Sequence, residues 1–274
     1  MRWRHSGKNT IVARDVGDQL AAEFGTVAEW TAMVAARLGP DYAIPAACRG
    51  SGQPAALDWL LEGLGPVPGE PLVDVGAGLG GPAAYAARAA GVRPLLLEPE
   101  HAASRAAAGL FGVPVIQADA TALPLSDGCT RLTWALGVLC TLPSRDAQLA
   151  MLRELWRIVR PDGRIGLLVF VAAILPLDDP PEGNHFPAGQ DLDSLLREAG
   201  LGVLRAADAQ RMGPPPAGWR DRADAVGREL HRCFGHTRQL RTADEQQDRI
   251  GHLLKSGQLA SRVLVLRAES PALR

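Results

Sequence analysis

The run Pro71-Leu72-Val73-Asp74-Val75-Gly76-Ala77-Gly78-Leu79-Gly80-Gly81 constrains this chain more than any other stretch. A short apolar segment suited to a buried strand meets a glycine-rich turn. An alanine-rich segment then opens at Pro82, where proline suits the first turn of a helix. Strand, glycine turn and helix in this order form a loop that cradles a ligand. Glycine lets the backbone turn sharply and approach a ligand where a Cβ would clash. The acid two residues before the first glycine is the unusual part, because a dinucleotide-binding turn ordinarily shows only apolar residues there.

At 274 residues the chain suits one large domain, or a domain with a cap. Lys and Arg total 29 against 30 Asp and Glu, so no basic surplus marks a nucleic-acid or anionic membrane partner. The longest apolar run, 165–175, is too short for a membrane helix of ~20 residues and reads as a buried parallel strand. Met1-Arg2-Trp3-Arg4-His5 contains no apolar core of a signal peptide. Cys48, Cys129, Cys140 and Cys233 form no CxxC pair, which argues against a zinc site or disulfide scaffold and fits a reducing cytoplasm.

Helical spacing over 15–38 places Val16, Leu20, Phe24, Val27, Trp30, Val34 and Leu38 on one face. Gly39-Pro40 ends that helix, and a loop carrying Asp41, Tyr42 and Cys48 to Pro54 follows. A second helix is expected over 55–64. Strands are then expected at 72–75, 94–97, 113–117, 132–136, 165–171 and 201–206. Helices at 81–90, 100–109, 145–159 and 190–199 alternate with them, and 160–163 is a turn. Such alternation implies a parallel sheet with right-handed crossovers. Gly213-Pro214-Pro215-Pro216 breaks the pattern; helices at 217–234 and 242–256 form a cap, and a last strand returns at 259–266.

Four features in order resemble the class I S-adenosylmethionine (SAM)-dependent methyltransferases, closest to the small-molecule branch with the ubiquinone/menaquinone-type enzymes. They are the glycine turn with Asp74; Leu95-Leu96-Leu97-Glu98; Gln117-Ala118-Asp119-Ala120 with Leu123-Pro124-Leu125-Ser126-Asp127; and Glu154 to Arg164, which leads into the fifth strand. The similarity covers about 55–206. It implies an α/β fold: a Rossmann-like seven-stranded sheet with N-terminal helices and a helical cap inserted before the last strand. The implied division is 1–54 as N-terminal segment or lid, 55–206 as binding core, 207–258 as cap and 259–274 as last strand and tail.

The resemblance assigns roles residue by residue. Asp74 stands near the methionine ammonium of SAM, and Gly76, Ala77, Gly78 and Gly80 pass under the methionine portion. Glu98 accepts the ribose hydroxyls. Asp119 and Ala120 meet the adenine, and Leu136-Gly137 faces the cofactor with backbone carbonyls. Arg49 is a candidate clamp for the methionine carboxylate, the alternative being an exposed loop arginine. His185 is the first candidate general base and Tyr42 a substrate-side candidate. The implied reaction moves a methyl group to O, N or C of a small molecule and leaves S-adenosylhomocysteine, in a cytoplasmic enzyme of bacterial secondary metabolism, monomer or homodimer, with no metal, nucleic acid or membrane partner.

Two positions depart from the family pattern. Cys129-Thr130-Arg131 replaces the usual apolar-Asp pair before strand four, and Cys140-Thr141 stands where many relatives carry a histidine. Two alternatives remain open: a catalyst that binds SAM without methylating, such as a cyclase, and an NAD-dependent oxidoreductase, since Gly76, Gly78 and Gly81 also satisfy GxGxxG. A nucleic-acid methyltransferase is disfavoured, because Leu136-Gly137-Val138-Leu139 lacks the Pro-Pro-aromatic run on which a flipped base stacks.

Overall fold

A seven-stranded sheet in the order β3-β2-β1-β4-β5-β7-β6 organises the chain. The computed structural model describes residues 7–48 and 52–269, with side chains from Ala22 onward. Strands β1 (Pro71–Val75), β2 (Arg93–Leu97), β3 (Val115–Ile116), β4 (Thr130–Leu136) and β5 (Val159–Ala172) are parallel. The last strand, β7 (Leu259–Ala268), runs antiparallel to both β5 and β6 (Leu201–Asp208). The parallel order expected of the alternating strands holds, and β7, the strand outside that alternation, makes the sheet mixed. The reason is the cap: it stays at the edge where β6 ends, so the chain re-enters the sheet from that edge without a crossover.

Period-two alternation divides the core into two layers. Leu72, Leu132, Trp134 and Leu136 meet Leu57, Leu60 and Leu64 of α3 (Pro54–Leu64) on one face. Val73, Val75, Ala135 and Leu167 meet α6 (Arg145–Ile158) and α7 (Gly189–Glu198) on the other. Asp74 shares the Leu72 face, so a carboxylate enters an otherwise apolar layer. Helices α4 (Gly81–Ala90) and α5 (His101–Phe111) follow β1 and β2.

A third cluster joins the N-terminal helix α1 (Gly7–Leu38) to the cap helices α8 (Ala217–Phe234) and α9 (Arg238–Lys255). Val27, Val34, Val226, Leu230 and Leu240 are buried there, each worth about 1.5–3 kcal/mol. Trp30 stacks on Phe234 with ring centroids 4.3 Å apart.

Local differences from the sequence reading have identifiable causes. The expected loop after Gly39 contains a helix, α2 (Pro40–Ala47), although Pro45 lies inside it. Burial of Ala43, Pro45, Ala46 and Ala47 outweighs the one backbone bond that Pro45 removes. The first helix begins at Gly7 rather than near 15. The edge strand β3 shrinks to Val115–Ile116. The expected turn at 160–163 is absorbed into β5 as a bulge, with the register stepping from Thr130↔Val159 to Leu132↔Arg164. Among the described residues no helix is long and apolar enough to cross a membrane.

Candidate functional site

The carboxyl ends of β1, β2 and β4 converge on the glycine turn. The Gly76 and Ala77 amides donate to Leu97 O at 2.8 and 3.1 Å, stitching the turn to the end of β2. Gly76, Gly78 and Gly80 have φ of 69, 54 and 75°, the left-handed region. At Gly80 glycine is required twice over, since a Cβ would also lie 2.5 Å from Leu96 Cδ2.

Two acids are buried at this turn. Glu98, 5% exposed, accepts from the Gly78 amide at 2.8 Å and the Glu100 amide at 3.1 Å. Burial raises its pKa, and those two backbone bonds offset part of the rise. Asp74 is 2% exposed, and its Oδ2 has no hydrogen-bond partner among the described residues. The pKa of Asp74 is pushed up to about 7: burial is the largest cause, the facing Trp134 indole pulls it down in part, and the charge of Glu98 raises it further. The indole Nε1 is likewise without a hydrogen-bond partner among the described residues. The site therefore holds a carboxylate oxygen and a proton donor, both dry.

The C-terminal end of α2 abuts this pocket. The buried Cys48 thiol is pushed far up, first by burial and then by the charge of Asp74. A cleft of about 850 Å³, lined in part by Cys48, opens between α1, α2 and α8. Trp219 forms part of its wall and stands edge-on to Tyr85 of α4, with centroids 5.8 Å apart. Tyr85 donates to Asp58 Oδ1 at 2.7 Å.

Helix α1 crosses above the glycine turn. A Cβ on Gly78 would lie 3.6 Å from the tip of the Phe24 ring, and Gly25 approaches Glu100 so closely that any Cβ at 25 would overlap its carboxylate. Glu29 of α1 pairs with Arg105 of α5, which fixes the crossing. No local signal marks this contact, because a glycine inside a helical pattern is only a weak helix former.

Asp119 is exposed, and its Oδ1 accepts from the Thr121 amide and hydroxyl at 2.7 and 2.8 Å; Ala120 behind it is buried. The loop carrying them is clamped from α6. Arg157 donates to Leu123 O at 3.0 Å, Leu125 O at 2.6 Å and Asp127 at 2.8 Å, while Glu154 accepts the Leu123 amide at 2.7 Å. That clamp accounts for the otherwise unexplained Glu154–Arg157 motif.

After β4, Leu136 is buried and Gly137 turns with φ 80°. The Gly137 carbonyl accepts the Cys140 thiol at 3.4 Å; burial pushes that thiol up to about 12, so Cys140 is a packing group rather than a nucleophile. His185 is exposed and reaches this turn through its backbone, its amide donating to Cys140 O at 2.7 Å. Tyr42 packs half-buried into the α1–α2–α8–α9 cluster and does not line the cleft. Arg49 lies outside the described residues. Trp134, Cys48, Phe24 and Gly25 were missed from sequence as site residues; for Trp134 the only available signal was that a lone acid on an apolar sheet face needs a polar neighbour.

Residues 73–167 match the family model for a methyltransferase domain. Among solved structures, the cyclopropane synthase MmaA2 from Mycobacterium tuberculosis superposes with a TM-score of 0.62 at 16% identity, over 77% of this chain and 82% of that one. The cyclase SpnF gives 0.58 at 22%, over 78% and 80%. Geranyl diphosphate C-methyltransferase from Streptomyces coelicolor A3(2), solved with Mg2+, geranyl diphosphate and S-adenosyl-L-homocysteine, gives 0.56 at 14%, over 77% of both chains. Identities this low speak to fold. Taken with the matched segment, which spans Asp74, Glu98, Asp119 and Ala120, they show a class I methyltransferase fold whose 73–167 segment is similar to a methyltransferase domain.

Proposed function

We propose that this protein binds SAM across the carboxyl ends of β1, β2 and β4 and transfers its methyl group to a small-molecule acceptor, releasing S-adenosylhomocysteine. One observation carries the reading: the buried Oδ2 of Asp74 beside the glycine turn, without a hydrogen-bond partner among the described residues. A buried carboxylate without a partner is costly, and a ligand ammonium supplies both the charge and the hydrogen bond that it lacks. NAD offers no such cation at this position, so Asp74 favours SAM over a dinucleotide.

The remaining residues fit the same ligand. Glu98 is directed into the turn and keeps lone pairs for ribose hydroxyls. Asp119 and Ala120 stand on the clamped loop for the adenine, Leu136 and Gly137 flank the sulfur side, and Arg49 is assigned to the methionine carboxylate. Bound SAM supplies an electrophilic methyl group on a sulfonium. The chain's own tasks are orientation and exclusion of water. Phe24 and Gly25 of α1 close the outer side, so 1–54 serves as lid, 55–206 as binding core, 207–258 as cap and 259–274 as closing strand.

A second reading keeps the sulfonium intact as an electrostatic element for a cyclisation. The turn after β4 favours it, because Cys140 fills a position where many of the family carry a histidine and spends its thiol on Gly137 O. The cyclase SpnF shares the fold.

Calorimetric titration with SAM, S-adenosylhomocysteine and NAD tests the cofactor. Micromolar binding of the first two, and none of NAD, is expected; the reverse would sink the reading. Homocysteine-form cofactor appearing with a methylated product separates methyl transfer from cyclisation.

A further inference from the structure

The cleft of about 850 Å³ between α1, α2 and α8 falls in the size range of small-molecule sites. Its location is specific. Cys48 lines it, and Cys48 is also the residue whose thiol feels the Asp74 carboxylate. The cleft thus adjoins the glycine turn at the end assigned to the methionine part of SAM: the Ala47 and Cys48 backbone packs so closely on Gly81 that a Cβ there would overlap it.

Its walls are mixed, and the apolar part is Pro45 and Ala46 from α2 with Trp219, Val226 and Leu230 from α8. The polar part is Thr31 of α1, Asp224, Arg228 and His231 of α8, and Gln247 of α9. The α8 face between Trp219 and Leu230 is kept small by Ala223 and Gly227. Gly227 has no packing reason to be glycine. A Cβ there would meet nothing within 4 Å, its φ is not in the left-handed region, and glycine weakens a helix interior relative to alanine. What a side chain at 227 would do is fill the cleft.

We infer that this cleft binds the acceptor: a drug-sized molecule with an apolar part and several polar groups, its open volume maintained by Gly227. The inference rests on the methyltransferase reading for the identity of the occupant, whereas the existence of the site does not.

The probe is 8-anilinonaphthalene-1-sulfonate, an aromatic anion that fluoresces on entering a dry apolar site. It is titrated into the full-length protein with and without saturating S-adenosylhomocysteine. The variants are Gly227→Leu and, as control, Gly251→Leu in α9, where a Cβ also meets nothing and which does not line the cleft. Saturable one-to-one binding is expected in the wild type and G251L, and at least tenfold weaker binding in G227L. G227L should melt no lower than the wild type and keep its S-adenosylhomocysteine affinity within twofold. Equal dye binding by G227L and wild type, or no saturable binding by the wild type, overturns the assignment. Failure of S-adenosylhomocysteine itself to bind would strike the methyltransferase reading and leave the dye result to judge the cleft separately.

Discussion

Asp74 on β1 and Trp134 on β4 are register partners, and among the described residues each keeps one polar atom without a hydrogen bond. Parallel neighbours in register project to the same face, so the carboxylate and the indole N–H confront each other inside a layer of leucines. Native interiors seldom leave two such groups unsatisfied side by side. A ligand cation at Oδ2 resolves the carboxylate and lets the indole serve as its neutral neighbour.

This arrangement makes the apoprotein sensitive to pH in a defined direction. The folded pKa of Asp74 is about 7, against 3.8 for the free group. The folded state therefore holds a proton that the unfolded chain has already lost. Stability falls as pH rises from about 4 to about 7 and is level above that, a loss on the order of 4 kcal/mol at 1.36 kcal/mol per unit. Wild type should melt higher at pH 5 than at pH 8. Asp74→Asn should remove most of that difference, measured as the change in Tm between the two pH values relative to wild type. An identical pH difference in the variant would mean that Asp74 is ionised in the apoprotein.

Arg157 holds the adenine-side loop through two carbonyls and the Glu154 and Asp127 carboxylates. Arg157→Met should cost about 1–3 kcal/mol in urea unfolding, the range for hydrogen bonds to charged groups. It should also weaken S-adenosylhomocysteine binding about tenfold, because Asp119 and Ala120 lose their fixed position. A stability loss with unchanged affinity would detach that loop from the cofactor.

Gly25 sets how closely α1 approaches Glu100. Leucine is a far better helix former, so Gly25→Leu would strengthen an isolated helix, yet here it must displace the Glu100 carboxylate that caps α5 where α1 crosses it. The expected outcome is a cooperative fold, faster amide exchange along α1 and at least tenfold weaker S-adenosylhomocysteine binding. Gly109→Ala on α5, where a Cβ meets nothing, should leave all three unchanged. Unchanged exchange and affinity in G25L would remove α1 from the lid role.

How far the sequence carried depends on which property each element expresses. The strand-turn-helix around Asp74 was legible because its signals are local: apolar run, glycines, proline at the helix start. The cap helices were legible for the same reason. Helix α2 was not, because Pro45 and Gly39 are local breakers overruled by burial against the core and cap. The reversed direction of β7 leaves no trace in an apolar run, since direction follows from where the cap returns the chain. Trp134 read as core, which it is; its polar role needs the β1–β4 register. Gly25 and Gly227 look alike in sequence, and only the fold separates a glycine under contact from one facing a void.

The cysteines separate by burial. Cys48 and Cys140 are 4% and 3% exposed, with thiols held protonated by burial, whereas Cys129 is exposed. Ellman's reagent should modify Cys129 in the native protein and reach Cys48 and Cys140 only after denaturation. Native-state modification of Cys140 would reopen a nucleophilic role.

The central claim is that Asp74 waits for an ammonium group, and a thermodynamic cycle tests it most directly. S-adenosylhomocysteine and its analogue with the amino group replaced by hydrogen are titrated calorimetrically into wild type and Asp74→Asn at pH 8. Removing the amino group or the carboxylate alone should each weaken binding by tenfold or more, and removing both should cost little beyond either one. Independent, additive losses, or a wild type indifferent to the amino group, would contradict it.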